Sequence, residues 1–333
     1  MTRNTLLRTL ALAALIAAAG AVHAQSPSAG SGAAFPSRPV KIVVPSSAGG
    51  ATDTFARALA PQLSESWGQP VVIENRPGAN QIIGSESVSK AAPDGTTLLV
   101  SEASSFVMNP HLYKKLPYDA LHGFTPITAL VRFPWVLVVH PSLPVHDFQE
   151  LVAYARANPG KLSYGSFGLG SSGHISMDYL KRLLGLDIVH VPYKGGGPAV
   201  ADLVAGQISM MMVTPLLVDG HARAGKLRLV AAVTAKRIER LPDLPTISES
   251  GVPGYEAGTW LAFMGPPGMA PETVARIYAD TIKAMNDPAF REQHVTRQWF
   301  EVMGPPPAEF AGFLASEYER WGRLIRLSGV TVE

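Results

Sequence analysis

The sequence predicts an α/β protein built as two layered lobes. Three observations carry that reading. Short β-branched apolar runs alternate along the chain with segments of helical spacing, which argues for strands and helices in layers. Glycine-rich breaks recur where a strand pattern gives way to a helix pattern. About 300 residues remain once the N-terminal segments are set aside, enough for two lobes of ordinary size.

The strand expectations, in order, are Lys41–Val44, Val71–Glu74, Thr97–Ser101, Trp135–His140, Leu162–Gly165, Ile188–Pro192, Ile208–Val213, Arg228–Ala232 and Trp299–Val302. Each is a short apolar run rich in branched or aromatic side chains. The helix expectations are Thr52–Trp67, Ile83–Ala91, Phe148–Asn158, Gly173–Leu184, Pro198–Ala205, Glu272–Asn286 and Ala308–Leu327. In the first, Phe55, Leu59 and Leu63 share a face, and Gly68 follows as a stop. Ile175, Tyr179 and Leu183 are in register in the fourth. The last carries Phe310, Phe313, Leu314, Tyr318, Trp321 and Ile325 on one stripe, read as core packing. Crossovers between lobes are expected near Thr125–Phe133 and across the proline- and glycine-rich Leu241–Trp260. The first lobe would then combine residues 36–130 with 252–333, and the second would be 131–251.

Residues 1–24 have the form of a cleavable export signal. Arg3 and Arg8 precede an apolar core at Leu10–Ala19, and Ala21-Val22-His23-Ala24 supplies small residues before a cut after Ala24. Residues 25–35 are small and polar and read as a flexible tether. There is no cysteine, hence neither a lipid-anchored signal nor a disulfide, and a freely soluble exported protein is expected. Losing Arg3 and Arg8 leaves 26 basic against 26 acidic residues, so the pI of about 8.8 does not point to nucleic acid or a membrane surface.

Three junctions could hold a ligand. Val40-Lys41-Ile42-Val43-Val44 runs into Pro45-Ser46-Ser47-Ala48-Gly49-Gly50 and then a helix carrying Asp53 in its first turn. Glycines without Cβ let the backbone approach a ligand, and unpaired N–H groups at a helix start favour an anion such as a carboxylate or phosphate. A plain strand-to-helix turn is the alternative. Ser166-Phe167-Gly168-Leu169-Gly170-Ser171-Ser172-Gly173-His174 and Tyr193-Lys194-Gly195-Gly196-Gly197-Pro198 repeat the pattern. All three fall beyond the carboxyl ends of strands, where open α/β sheets take ligands. Loops of this kind facing each other across a cleft would enclose a small solute.

Other chemistry is weakly signalled. Gly168–Gly173 matches GxGxxG, but the next strand ends in Tyr193-Lys194 rather than the acidic residue a dinucleotide needs, and no cofactor is expected. HExxH, P-loop and GxSxG patterns are absent, and the nine histidines lack ligand spacing, so no metal is expected. An exported serine hydrolase using Ser171 or Ser172 with His174 is the enzymatic alternative. Asp53 reads as a first-turn residue that either shapes its loop or meets a ligand amine.

PSSAGGATDTFAR, VIENRPGANQIIGSESVSKAAPDGTTLLV, YGSFGLGSSGH, VPYKGGGPAVADLVAGQI and LPTISESGVPGYEAGTW resemble, in order, the periplasmic Bug-type receptors of tripartite tricarboxylate transporters. The resemblance implies a type II periplasmic-binding-protein fold and no enzymatic activity. It implies a small organic carboxylate (a di- or tricarboxylate, an acidic amino acid or an aromatic acid) held by loop N–H groups and water. It further implies a monomer that delivers its ligand to membrane permease subunits, or an orphan with no adjacent permease; a receptor reporting to a sensor kinase is the variant. Carried over residue by residue, the site is Ser47, Ala48, Gly49, Gly50 and Asp53 in the first lobe. In the second it is Ser166, Gly168, Gly170, Ser171, Ser172 and His174, walled by Tyr193, Lys194 and Gly195. Ser101 and Ser104 are further candidates. Two positions depart from the family pattern: Asn80 stands where glycine is usual, and Val213-Thr214 where Asp-Asn is usual. The second makes the far end of the pocket less acidic and favours an apolar or aromatic carboxylate.

Overall fold

The computed structural model describes residues 35–332; the expected export signal and all but the last residue of the expected tether lie outside the described residues. The chain forms β1 (Val40–Val44), α1 (Ala51–Trp67), β2 (Val71–Asn75), α2 (Ile82–Ser89), β3 (Thr97–Glu102), α3 (Asn109–Leu112) and β4 (Thr125–Phe133). It then passes to β5 (Val136–Val139), α4 (Phe148–Ala157), β6 (Leu162–Ser166), α5 (Ser172–Leu184), β7 (Ile188–Pro192), α6 (Gly196–Val204), β8 (Met210–Val213), α7 (Pro215–Arg223) and β9 (Arg228–Ala232). It returns through β10 (Thr259–Gly265), α8 (Pro271–Asn286), α9 (Pro288–Arg291), β11 (Glu301–Val302) and α10 (Pro307–Ser328).

Two sheets result, one per lobe. The first has the order β11-β4-β10-β3-β1-β2 and the second β7-β6-β8-β5-β9. β1 pairs in parallel with β2 and β3, whereas β10 runs antiparallel between β3 and β4. β6 pairs in parallel with β7 and β8, and β5 runs antiparallel between β8 and β9. In each lobe the antiparallel strand is the one the chain enters on arriving from the other lobe. This is the two-lobe type II arrangement.

The continuous apolar run of β1 follows from burial on both faces. Val40, Ile42 and Val44 join Phe55, Leu59 and Leu63 of α1 in one core layer, while Val43 points to the opposite layer with Phe106, Phe310 and Trp321. The α10 stripe is core: Phe310 and Trp321 are fully buried. In α5 the buried face is Ile175, Met177 and Leu180, with Leu183 left half exposed, one position off the expected register. Ile175 belongs to the core layer of the first lobe, so α5 ties the lobes together against α10.

Two segments differ from expectation. Thr125–Phe133 is a nine-residue strand in the sheet, not a connection; its Pro126 sits at the second residue and Ile127, Leu130 and Val131 are fully buried. The crossover proper is Pro134-Trp135. Trp299 does not begin a strand: its φ of 61° is left-handed, and pairing with β4 starts at Glu301.

Candidate functional site

The sheet registers put the loops in one place. Phe133, the last residue of β4, pairs with Thr259 at the start of β10, and Leu261 pairs with Glu102 at the end of β3. The carboxyl ends of β1, β2 and β3 therefore share an edge with the point where the chain leaves and re-enters the first lobe. In the second lobe Val136 pairs with Val213 and with Ala232, so the ends of β8 and β9, and of β6 and β7 beside them, lie at the crossover edge. Three residue steps join Phe133 to Val136, no more than about 11 Å. The crossovers are tied by Val233 N–H to Trp135 O and Ala257 N–H to Val233 O, both 2.8 Å. The loops after β1 and β3, and those after β6, β7 and β8, thus lie at the edges of the two sheets nearest the crossovers.

On the first lobe, Asp53 braces the glycine loop from within α1. Its Oδ2 accepts from Gly49 N–H at 2.8 Å and Arg57 Nε at 3.0 Å, and its Oδ1 from Asn75 Nδ2 at 2.9 Å. Burial alone would raise this carboxyl, but the hydrogen bonds from Arg57, Gly49 and Asn75 hold it below its ordinary value. Asp53 is the loop-shaping group, its oxygens already in use. Ser47, Ala48, Gly49 and Gly50 are exposed, and no side chain caps α1. Gly49 has φ 82°, the left-handed conformation glycine allows.

Gly78, Ala79, Asn80 and Gln81 all have positive φ. Asn80, the departure from glycine, fits because asparagine tolerates this region. Its Nδ2 donates to Asn109 Oδ1 at 2.7 Å, and Asn109 Nδ2 returns a bond to Asn80 O at 2.9 Å. The run delivers Gln81 Oε1 to Ser101 Oγ (2.7 Å), Ser105 Oγ (3.1 Å) and Glu102 N–H (3.3 Å). Ser101 is consequently an internal brace. Ser104 Oγ is buried with no hydrogen-bond partner.

On the second lobe, Ser166 Oγ is buried, lies 2.7 Å from His190 Nε2 and bonds both the O and the N–H of Gly168. Ser171 caps α5, its Oγ donating to Gly168 O at 2.7 Å. Gly170 is glycine because a Cβ there would lie 2.7 Å from Val332 and 3.3 Å from Leu112, both of the first lobe. The His174 ring is fully engaged: Gly170 N–H donates to Nδ1 at 3.1 Å, and Nε2 faces Asp178 Oδ2 at 3.2 Å. Tyr164 and Lys181 also bind Asp178, and these partners hold its carboxyl far down despite burial. His190 stacks on His174 at 3.9 Å; burial and then the neighbouring His174 push it down to about 4. Tyr193 N–H donates to Ser166 O, and its hydroxyl donates to Asp202 at 2.8 Å. Lys194 is exposed beside Gly195, which has φ 121° and precedes α6. Ser172 is buried at the start of α5, and Thr214 Oγ1, just after β8, is buried without a partner.

Sequence reasoning named Ser104 and noted Thr214 only as a departure; it missed Ser46, whose Oγ is likewise buried and unpartnered. These three hydroxyls end β1, β3 and β8 at the edges nearest the crossovers. Ser176 in α5 and Thr281 in α8 also carry buried, unpartnered hydroxyls, so what sets Ser46, Ser104 and Thr214 apart is their place just past strand ends, where a solute or water can complete the bonding. The hydrolase alternative finds no base, since Ser171 Oγ donates to a carbonyl and both nitrogens of His174 are taken. Among the described residues no group of three or more His, Asp or Glu could hold a metal, and no helix is long and apolar enough to cross a membrane. A cavity of about 530 Å³ lies on the other flank of the crossovers, lined by Arg132, Lys236, Arg240, Trp260, Trp299 and Glu301 among others.

A two-lobed α/β fold with glycine loops on the strand ends nearest the crossovers defines the class of periplasmic solute-binding proteins. Residues 55–330 match the tripartite tricarboxylate transporter family receptor, TctC, and the chain belongs to that family. Protein BugT of Bordetella pertussis is 34% identical over 300 residues, 90% of this chain and 92% of BugT. An R. palustris protein solved with adipate is 34% identical, with a TM-score of 0.82 over 89% of this chain and 99% of that one. MatC from Rhodopseudomonas palustris, solved with bound malate, is 32% identical, with a TM-score of 0.77 over 87% and 100%.

Proposed function

We propose that the protein captures a small organic carboxylate in the cleft between its lobes and presents it to the membrane subunits of a tripartite tricarboxylate transporter. The ligand contacts are those set out from the sequence, less Asp53, Ser101 and His174, whose polar atoms are taken up in bracing the loops, and enlarged by Ser46 and Thr214. The observation that carries the reading is the set of three unpartnered buried hydroxyls, Ser46, Ser104 and Thr214, at the ends of strands from both lobes. Exposed, uncapped backbone at Ser47–Gly50 adds anion-seeking N–H groups at the start of α1. Relatives with adipate and with malate support a carboxylate as the ligand class. Binding works by hinge closure: the carboxylate bonds to both lobes only when they meet, so it favours the closed state. Residues 1–24 act as the export signal, cut after Ala24, and the lobes divide at Pro134-Trp135 and Ala257-Gly258, a few residues beyond the 130/131 and 251/252 boundaries expected from the sequence, because Phe133 still pairs with Thr259 and Val252, Tyr255 and Ala257 pack in the second-lobe core.

The test is a thermal-shift screen of the purified protein against di-, tri- and aromatic carboxylates. A ligand at 100 times its dissociation constant adds about 2.7 kcal/mol to folding stability, a rise of several degrees at this size. A flat response across the whole panel overturns the proposal.

A further inference from the structure

Glu102 closes β3 at the edge nearest the crossovers, and it is partly open to solvent. Thr52 Oγ1, in the first turn of α1, donates to its Oε1 at 2.9 Å. Gln81 holds its main-chain N–H and also reaches its carboxyl. Among the described residues no lysine, arginine or histidine pairs with it. Every other carboxyl with a displaced value has a cationic or histidine partner and is drawn down. Glu102 alone is pushed up, by burial, with Thr52 and Gln81 offsetting only part of it. A carboxyl left without a cation at the mouth of an anion site is costly unless something brings it a donor. Two of the orphan hydroxyls, Ser104 and Ser46, end the same strand and its neighbour.

Those surroundings state what the missing partner is. Thr52 and Gln81 supply neutral donors to a carboxylate, and the start of α1 favours negative charge beside it. Against a bare aliphatic acid Glu102 is repulsive or must keep a proton. Against an acid bearing an ammonium or hydroxyl it gains a charge-assisted hydrogen bond. Resting on the carboxylate reading of the cleft, we infer that Glu102 is a specificity-determining residue that accepts a hydrogen bond from an ammonium or hydroxyl group of the ligand, so that amino- or hydroxy-substituted acids bind in preference to their unsubstituted counterparts. The acidity that Val213-Thr214 withdraws from one end of the pocket is restored here, on the opposite lobe. This reverses the preference for an apolar carboxylate that the sequence suggested.

The experiment is calorimetric titration of the purified protein with matched sets: succinate, malate and aspartate; glutarate, 2-hydroxyglutarate and glutamate; adipate and 2-aminoadipate. In at least one set a donor-bearing acid binds about tenfold tighter than its unsubstituted counterpart, or more. Glu102→Gln, which keeps an oxygen for Thr52, brings that ratio close to one with the unliganded melting temperature little changed. Glu102→Ala, read by the same ratio, serves should the glutamine variant fold poorly. A ratio that survives substitution, or tighter binding of the unsubstituted acid by the unsubstituted protein, overturns the role of Glu102 while leaving the carboxylate reading intact. Failure of every acid to bind removes the carboxylate reading itself, a distinguishable result.

Discussion

Asp53 shows how one side chain can be indispensable to a ligand loop without touching the ligand. Its two oxygens hold Gly49 N–H, the Arg57 guanidinium and the Asn75 amide, joining the loop after β1, the helix α1 and the end of β2. Asp53→Ala removes the acceptor of Gly49 N–H, one of the two acceptors of the Asn75 amide (Ser46 O remains) and the ion pair with Arg57, and is expected to cost about 1–3 kcal/mol in urea unfolding. Because this carboxyl sits below its ordinary value, its contribution is present above pH 3.8 and lost as the pH falls below that, so the penalty shrinks toward pH 2. Gly49 acts by a different physical route. A Cβ at this position meets nothing within 4 Å, so the obstacle is backbone strain at φ 82° rather than a clash. Gly49→Ala should cost about 1–2 kcal/mol, a loss independent of pH. Equal pH dependence for the two variants would count against this division of roles.

Among elements, the unit that sets the second-lobe loop is the stack of Tyr164 on β6, His190 on β7 and His174 on α5, with Asp178 beneath it. His190 titrates at about 4 in the folded protein and near 6.5 when unfolded. The unfolded chain therefore binds an extra proton between those values, and stability falls as the pH drops from about 6.5 to about 4. Glu102 runs the other way, since a raised carboxyl stabilises below pH 4.5 and loses that contribution as the pH rises through its folded value. Comparing variants cancels it: the fall in melting temperature from pH 7 to pH 5 should be smaller in His190→Gln than in the unsubstituted protein. An identical fall would place the sensitivity elsewhere. This stack was not legible in the sequence, where His174 and His190 lie 16 positions apart on different patterns and only sheet register brings them together. The alternation of elements was legible because strand and helix periods are local. Thr125–Phe133 was misread because Pro126 and Arg132 interrupt an otherwise apolar run whose strand character comes from pairing with β10 and β11. The glycine loops stood out, since their backbone demands particular residues. The orphan hydroxyls did not, because a serine that lacks a partner looks the same in a sequence as one that has found it.

For the molecule as a whole, the crossovers divide the space between lobes into two flanks. Glycine loops and orphan hydroxyls occupy one, and the cavity of about 530 Å³ occupies the other. A rotation about Pro134-Trp135 and Ala257-Gly258 that narrows the first must widen or shear the second. Arg240, following β9 of the second lobe, reports on that motion. Its guanidinium lies 3.8 Å from the Trp299 ring centre and donates to Thr296 O at 2.8 Å, both in the first lobe. Trp299 is buried and clusters with Ile238 of the second lobe, so the contact is partly desolvated and contributes about 2 kcal/mol, still within what a tightly bound ligand supplies. Trp299 also sits with left-handed φ, held so that its indole meets the cavity wall. If closure is a rigid hinge, a bound carboxylate changes the environment of Trp299 without touching it. Intrinsic tryptophan emission should then shift on titration with whichever acid the thermal screen selects. Trp299→Phe should remove most of that shift at unchanged affinity, while Trp67→Phe, altered in the core layer beneath α1, should leave it. A shift that survives Trp299→Phe in full would mean that the lobes close without moving Arg240 across this face, and that the two flanks are not mechanically opposed.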